Sequence, residues 1–241
     1  MRPAGLFAVR VARLGAVIVP PLPAAVLWDM DGTLVDTEPF WFEAETVLMT
    51  RFGRDWTHDQ ARSLVGMGLR DGARVLQEHG VDMAIDDIVS WQTDHVSAHL
   101  EREIPWRPGA LALLAAIRDA GVPTALVTMS VRRMARAVVA AVPFGGFDVL
   151  VAGDDVSRAK PDPEPYLRAA ELLGVPIADC VAIEDSPPGL ASAVASGAVA
   201  LGVPHLATLP EGDAWQLWPT LEGRGLEDLA QLAVDLGRTP A

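Results

Sequence analysis

Between residues 110 and 203 the chain alternates helix-like and strand-like segments, and this rhythm restricts the fold more than any other feature. Helical spacing of apolar residues over 110–120, 132–141, 163–173 and 188–196 gives way each time to a short apolar run. Those runs lie at 124–128, 147–151, 180–184 and 198–203. A run such as Cys180-Val181-Ala182-Ile183 has no polar face, so both of its sides must be covered. Strands of this kind linked through helices pair in parallel. The predicted class is therefore α/β, a doubly wound, Rossmann-like parallel sheet with helices on both faces. Ligands of such sheets sit beyond the carboxyl ends of the strands, so the residues following each run are the first candidates for function.

A further apolar run, Ala25-Val26-Leu27-Trp28, precedes this region and is separated from it by a different pattern. Helical periodicity fills 40–52, 57–65, 71–79 and 85–102, punctuated by Gly53, Gly66, Gly68 and Gly80 and closed by Pro105 and Pro108-Gly109. The expected division is an α/β core from 24–38 and 106–241, with a helical insert at 39–105. The joints are predicted around 36–39 and 105–108. Residues 1–23 form an extension in which Arg2, Arg10 and Arg13 interrupt every apolar stretch and a proline run follows. That pattern predicts a disordered segment rather than a secretory signal.

Half of the 241 residues are hydrophobic, enough for a sizeable core. The formal net charge of −13 argues against nucleic acid or an anionic membrane as partner. No apolar run reaches transmembrane length. Cys180 is the only cysteine and sits in an apolar strand, which fits a reducing, cytoplasmic setting and a buried side chain without catalytic work.

The chemistry concentrates at the run ends. Asp29-Met30-Asp31-Gly32 follows the first apolar run, and a turn at Gly32 lets both carboxylates curl around one point. Such a pair suits a hard cation such as Mg²⁺, and it suits one carboxylate attacking while the other moves a proton. The same composition also occurs in ordinary turns. Lys160 is the only lysine among nineteen lysine and arginine residues. A compact ammonium is retained where arginine serves everywhere else, which points to a buried point charge. Glu184 and Asp185 end the run at 180–184. Thr128 ends the run at 124–128, where its hydroxyl suits a phosphoryl oxygen; read alone it is equally a helix cap.

Taken in order, these stretches resemble the four motifs of the haloacid dehalogenase (HAD) superfamily over roughly residues 24–205: D-x-D-G-T-L from Asp29, Thr128, K-P-x-P-x-x-Y from Lys160, and Glu184-Asp185. The resemblance implies a hydrolase forming an aspartyl-phosphate on Asp29, with Asp31 as general acid and base. It implies Thr128 and Lys160 as further catalytic groups, and Met30, Met129 and Ser130 as substrate-binding positions. Mg²⁺ is expected on Asp29, the Asp31 carbonyl and Asp185, with Glu184 either behind these ligands or reaching the ion through water. The helical insert matches the small α-helical cap of the β-phosphoglucomutase and phosphatase branch. Asp31 favours phosphate esters over haloacids or phosphonates, and a small phosphorylated metabolite, by analogy a sugar phosphate, is the expected substrate.

Similar mutases carry a histidine early in the first cap helix and a cap lysine. Here Trp41 takes the first position, and the cap has no lysine. Those departures favour hydrolysis over mutase chemistry. A catalytically silent binding module is disfavoured because no catalytic position is lost. The loop Gly66-Met67-Gly68-Leu69-Arg70 lacks the spacing and preceding strand of a nucleotide loop; by resemblance it faces substrate, with Arg70 either a contact or a solvated cation. His95 and His99 share a helix face at zinc-binding spacing. With no third ligand evident, they read as an exposed face.

Overall fold

The computed structural model describes residues 20–236; the extension predicted at 1–23 lies outside this range except for its last four residues. Six strands form one all-parallel sheet: β1 (Ala25–Trp28), β2 (Thr124–Val127), β3 (Val149–Val151), β4 (Cys180–Glu184), β5 (Val199–Gly202) and β6 (Trp215–Leu217). Their order is β3-β2-β1-β4-β5-β6. The chain winds outward from β1 in one direction through β2 and β3, then returns to its other side at β4. That reversal opens a crevice at the carboxyl end of β1.

Alternation along the strands builds two cores. Val26, Trp28, Leu126, Val181, Ile183, Val199 and Leu201 face one side, where α5 (Ala110–Asp119), α6 (Arg132–Ala141) and α9 (Leu226–Asp235) supply Leu113, Met134 and Leu229. Ala25, Leu27, Ala125, Val127, Cys180, Ala182 and Ala200 face the other, against α7 (Glu164–Leu173) and α8 (Pro187–Ser196). Small side chains dominate that second face, which lets Tyr166 of α7 lie fully buried over the sheet. Burial of each large apolar side chain contributes about 1.5–3 kcal/mol. Cys180 is buried as expected, and burial pushes its thiol up to about 12.

The insert consists of α1 (Glu38–Arg51), α2 (His58–Arg62), α3 (Leu69–Glu78) and α4 (Ile85–Leu100). It has its own apolar cluster of Leu48, Met49, Leu64, Leu76, Val81 and Ile88, while Trp41, Ala44, Val96 and Leu100 join the first core. The two crossing segments are tied together: Asp36 N–H donates to Pro105 O at 2.8 Å and Arg107 N–H to Leu34 O at 2.9 Å. The helix expected at 57–65 is shorter than its periodicity suggests. A Thr57–Gln60 capping box starts it, and the chain leaves helical geometry after Ser63. Strand β6 and helix α9 have no counterpart in the sequence expectations, which ended at the run 198–203. Among the described residues no helix is long and apolar enough to cross a membrane.

Candidate active site

The first carboxylate pair is shaped by the turn after β1. Asp29 N–H still pairs with Ile183 O at 3.0 Å, as a strand residue would. The chain then folds back, with Leu34 N–H and Val35 N–H both donating to Met30 O at 3.0 Å. Gly32 adopts φ +86°, a left-handed conformation that favours glycine. It also passes so close to Asp185 that a Cβ would lie 2.1 Å from Oδ2. The turn thus packs against the carboxyl end of β4 and brings Asp29 and Asp185 together.

Lys160 crosses this point from the loop before α7. Its Nζ donates to Asp29 Oδ1 at 2.7 Å, Glu184 Oε1 at 2.6 Å and Val127 O at 2.9 Å, and lies over the Tyr166 ring. All three ammonium protons are therefore used. Glu184 is fully buried, and its oxygens also accept from Tyr166 Oη at 2.6 Å and Ser186 Oγ at 3.2 Å. Burial works against the lysine's charge, but Asp29 and Glu184 outweigh it and raise its pKa. Burial pushes the Asp29 carboxyl up to about 8 against the pull of Lys160. Asp185 is driven well above the carboxylate range, first by burial and then by Asp29 and Glu184.

Three buried carboxylates share a single ammonium, so the cluster is short of positive charge. Donor oxygens of Asp29, Glu184 and Asp185 lie within 4.8 Å of one another, and Asp185 Oδ2 is buried without a hydrogen-bond partner. An orphaned carboxylate oxygen in an all-oxygen cluster fits a hard divalent cation and suits a thiophilic metal poorly. Asp29 and Asp185 are free to face such an ion. Glu184, with both oxygens engaged by Lys160, Tyr166 and Ser186, holds the lysine in place.

Asp31 points away from this cluster into the cleft. Its Oδ1 accepts from Thr37 Oγ1 at 2.6 Å and Trp41 Nε1 at 3.1 Å, and its Oδ2 from Thr128 Oγ1 at 3.0 Å and Ser130 Oγ at 2.8 Å. Thr37 precedes α1 but gives that helix no side-chain cap, because its hydroxyl is committed to Asp31. Thr128, expected to meet a phosphoryl oxygen, is fully buried; its hydroxyl holds Asp31 and accepts from Ser130 N–H at 2.9 Å. Met129 and Ser130 line the cleft, whereas the Met30 side chain is buried in the first core.

The cleft has a volume of about 680 Å³ including its open mouth, and insert and core both line it. Asp29, Asp31, Met129, Ser130, Lys160 and Ser186 form its floor; Trp41, Leu64 and the backbone of 66–69 form the opposite wall. Arg70 is not among the lining residues. Its guanidinium is turned outward to pair with Asp86, both side chains largely exposed, which is the solvated of the two arrangements the sequence left open. Glu38, Glu45 and Gln92, to which the sequence reading gave no role, line the cleft and are almost fully buried. The signal was available: Glu38, Trp41 and Glu45 fall on the same face of α1, and two glutamates on a face that also buries Ala44 and Leu48 are out of place on a structural helix. Burial, with Asp31 and Glu45 adding, raises the Glu38 pKa well above its usual value. Burial also pushes Glu45 up to about 7 despite a 2.9 Å hydrogen bond from Trp56 Nε1.

A parallel sheet with a helical insert, and a lysine between strand-end carboxylates, define a class of enzyme that works at the carboxyl end of its sheet. A family model described as haloacid dehalogenase-like hydrolase matches residues 23–197, and the chain belongs to that family. A phosphorylated carbohydrates phosphatase of Thermotoga maritima is 33% identical over 198 residues, 79% of this chain and 88% of its own. Hexitol phosphatase A of Escherichia coli is 31% identical over 190 residues, covering 76% and 84% of the two chains. Among solved structures, CbbY from Rhodobacter sphaeroides in complex with phosphate superposes with a TM-score of 0.76 at 30% identity, covering 86% of this chain and 99% of that one.

Proposed function

We propose that this chain is a Mg²⁺-dependent phosphomonoesterase that hydrolyses a small phosphorylated carbohydrate through an aspartyl-phosphate on Asp29. The observation that carries the reading is Lys160 Nζ, buried on the cleft floor 2.7 Å from Asp29 and 2.6 Å from Glu184. An anionic nucleophile can approach an anionic phosphate only if fixed positive charge is already there. Mg²⁺ bound by Asp29, the Asp31 carbonyl and Asp185 would supply the rest of that charge and polarise the phosphoryl oxygens.

The chain's own groups then divide the work. Asp29 attacks phosphorus, forming an O–P bond as the ester O–P bond breaks, and Asp31 gives the departing alkoxide its proton. In the second half Asp31 takes a proton from water, whose oxygen displaces Asp29 and yields inorganic phosphate. Four hydrogen bonds from Thr37, Trp41, Thr128 and Ser130 hold Asp31 where both transfers occur. Residues 39–105 act as the cap that closes over this chemistry, with the paired segments near 36 and 106 as joints.

The wall above the phosphate site supports a carbohydrate leaving group. Glu38 and Glu45 offer acceptors to hydroxyls, Gln92 offers both donor and acceptor, and Trp41 and Leu64 pack apolar faces. Lys160 is the only cation among the lining residues, so a second phosphate on the substrate would meet carboxylates. The early cap position filled by histidine in the mutases holds Trp41, bonded to Asp31, which supports hydrolysis.

Phosphate release over a panel of sugar and polyol monophosphates, bisphosphates and carboxylated phosphoesters, with Mg²⁺ and with chelator, tests this. Metal-dependent release from sugar and polyol monophosphates that carry no second anionic group is expected. Catalytic conversion of β-glucose 1-phosphate to glucose 6-phosphate, with little free phosphate, would overturn hydrolysis in favour of mutase chemistry.

A further inference from the structure

The helix pair α1 and α4 carries a second cluster of metal-ligating side chains, outside the cleft. His95 and His99, one turn apart on α4, face Glu43 of α1, and one ligand atom from each lies within 4.8 Å of the others. None of the three lines the catalytic cavity. The third ligand that the sequence around the histidines lacks is delivered by the packing of α1 on α4.

Their spacing is informative. Glu43 Oε1 lies 3.4 Å from His95 Nε2, and Oε2 lies 3.5 Å from His99 Nε2. Both are longer than an N–H···O hydrogen bond of about 2.7–3.2 Å. His95 Nε2 is a buried atom with no hydrogen-bond partner. Bonds of about 2.0–2.2 Å to a tetrahedral metal separate neighbouring donors by about 3.3–3.5 Å. Each imidazole lies at that distance from one carboxylate oxygen of Glu43, His95 from Oε1 and His99 from Oε2, and the three donors close within 4.8 Å. The rings are also held in orientation: His95 stacks on Trp91 with centroids 5.4 Å apart and His99 on Phe40 at 4.6 Å. Glu43 is half-exposed, so solvent and an ion can reach the cluster.

We propose that Glu43, His95 and His99 form a binding site for a zinc-like divalent cation, with water as fourth ligand, that clips α1 to α4. Two imidazoles and one carboxylate suit Zn²⁺ and discriminate against Mg²⁺, which takes oxygen donors in octahedral geometry. The site is chemically distinct from the catalytic carboxylates. Because α1 and α4 are the first and last helices of the insert, bound metal stiffens the insert without entering the reaction.

Co²⁺ is the probe, since tetrahedral N/O coordination gives intense visible absorption and octahedral oxygen coordination gives weak bands. With the full-length protein in excess Mg²⁺, so that the catalytic carboxylates are occupied, one equivalent of Co²⁺ should produce intense bands that Zn²⁺ abolishes. Zn²⁺ at a hundredfold excess over its dissociation constant should raise the melting temperature by roughly 5–10 °C. Glu43→Gln, at a half-exposed position, should remove the bands and the thermal shift while keeping Mg²⁺-dependent phosphate release; His95→Gln with His99→Gln should do the same to the bands. Absence of intense bands in the wild type, or bands that survive both variants, would overturn the proposal.

Discussion

The Glu45→Gln substitution isolates one consequence of the buried acidic wall. Glu45 is 4% exposed, and burial lifts its carboxyl from an ordinary 4.5 to about 7 in the folded chain. A carboxyl with a folded value above its unfolded one favours the fold only while protonated. That contribution is complete below 4.5 and is lost as pH rises through about 7. At 1.36 kcal/mol per pH unit, the gap between the folded and unfolded values costs the folded state about 3 kcal/mol at pH 8, where the buried group is charged, and about 1 kcal/mol at pH 5, where it must stay protonated. Glutamine has the same shape, its amide oxygen can keep the bond from Trp56, and it does not titrate. Relative to wild type, Glu45→Gln should therefore gain about 2 kcal/mol of stability between pH 5 and pH 8. Urea unfolding at both pH values, followed by tryptophan fluorescence and circular dichroism, measures the difference. A variant whose stability relative to wild type is the same at both pH values would refute the argument that burial of charge governs this position.

Asp29→Asn should abolish phosphate release while the chain still folds, because the amide keeps the shape but cannot attack phosphorus; turnover within tenfold of wild type would rule out the covalent route. Lys160→Arg should lower kcat on the order of 10²-fold, since a planar guanidinium cannot reproduce three short bonds to Asp29, Glu184 and Val127 O; steady-state kinetics in saturating Mg²⁺ reads this directly. Gly32→Ala places a Cβ 2.1 Å from Asp185 Oδ2 at φ +86°, so activity should fall at least about a hundredfold, with weaker Mg²⁺ dependence and stability lower by about 1–3 kcal/mol. Wild-type behaviour in metal titration and thermal melts would contradict that close approach.

The strands and the residues at their ends were legible in the chain because they answer to local rules. A fully apolar run such as 180–184 needs cover on both faces, and a motif such as Asp29-Met30-Asp31-Gly32 carries its turn within itself. The lone lysine announced itself through composition. Strand β6 and helix α9 were not legible. The 3-residue β6 is only half-buried, and its place is set by pairing with β5. What each side chain touches was also beyond the sequence. Thr128 read locally as a cap position and Thr37 carried no signal, yet residues 97 and 6 positions from Asp31 converge on its carboxylate. Arg70, in the first turn of α3 just after the loop that faces the cleft, turns to Asp86, sixteen residues away. Glu43 meets His95 and His99 only because α1 packs on α4. Periodicity and turn chemistry act over a few residues and so can be read along the chain. Burial, shared hydrogen bonds and ion pairing depend on distances across space, which only the packed structure sets.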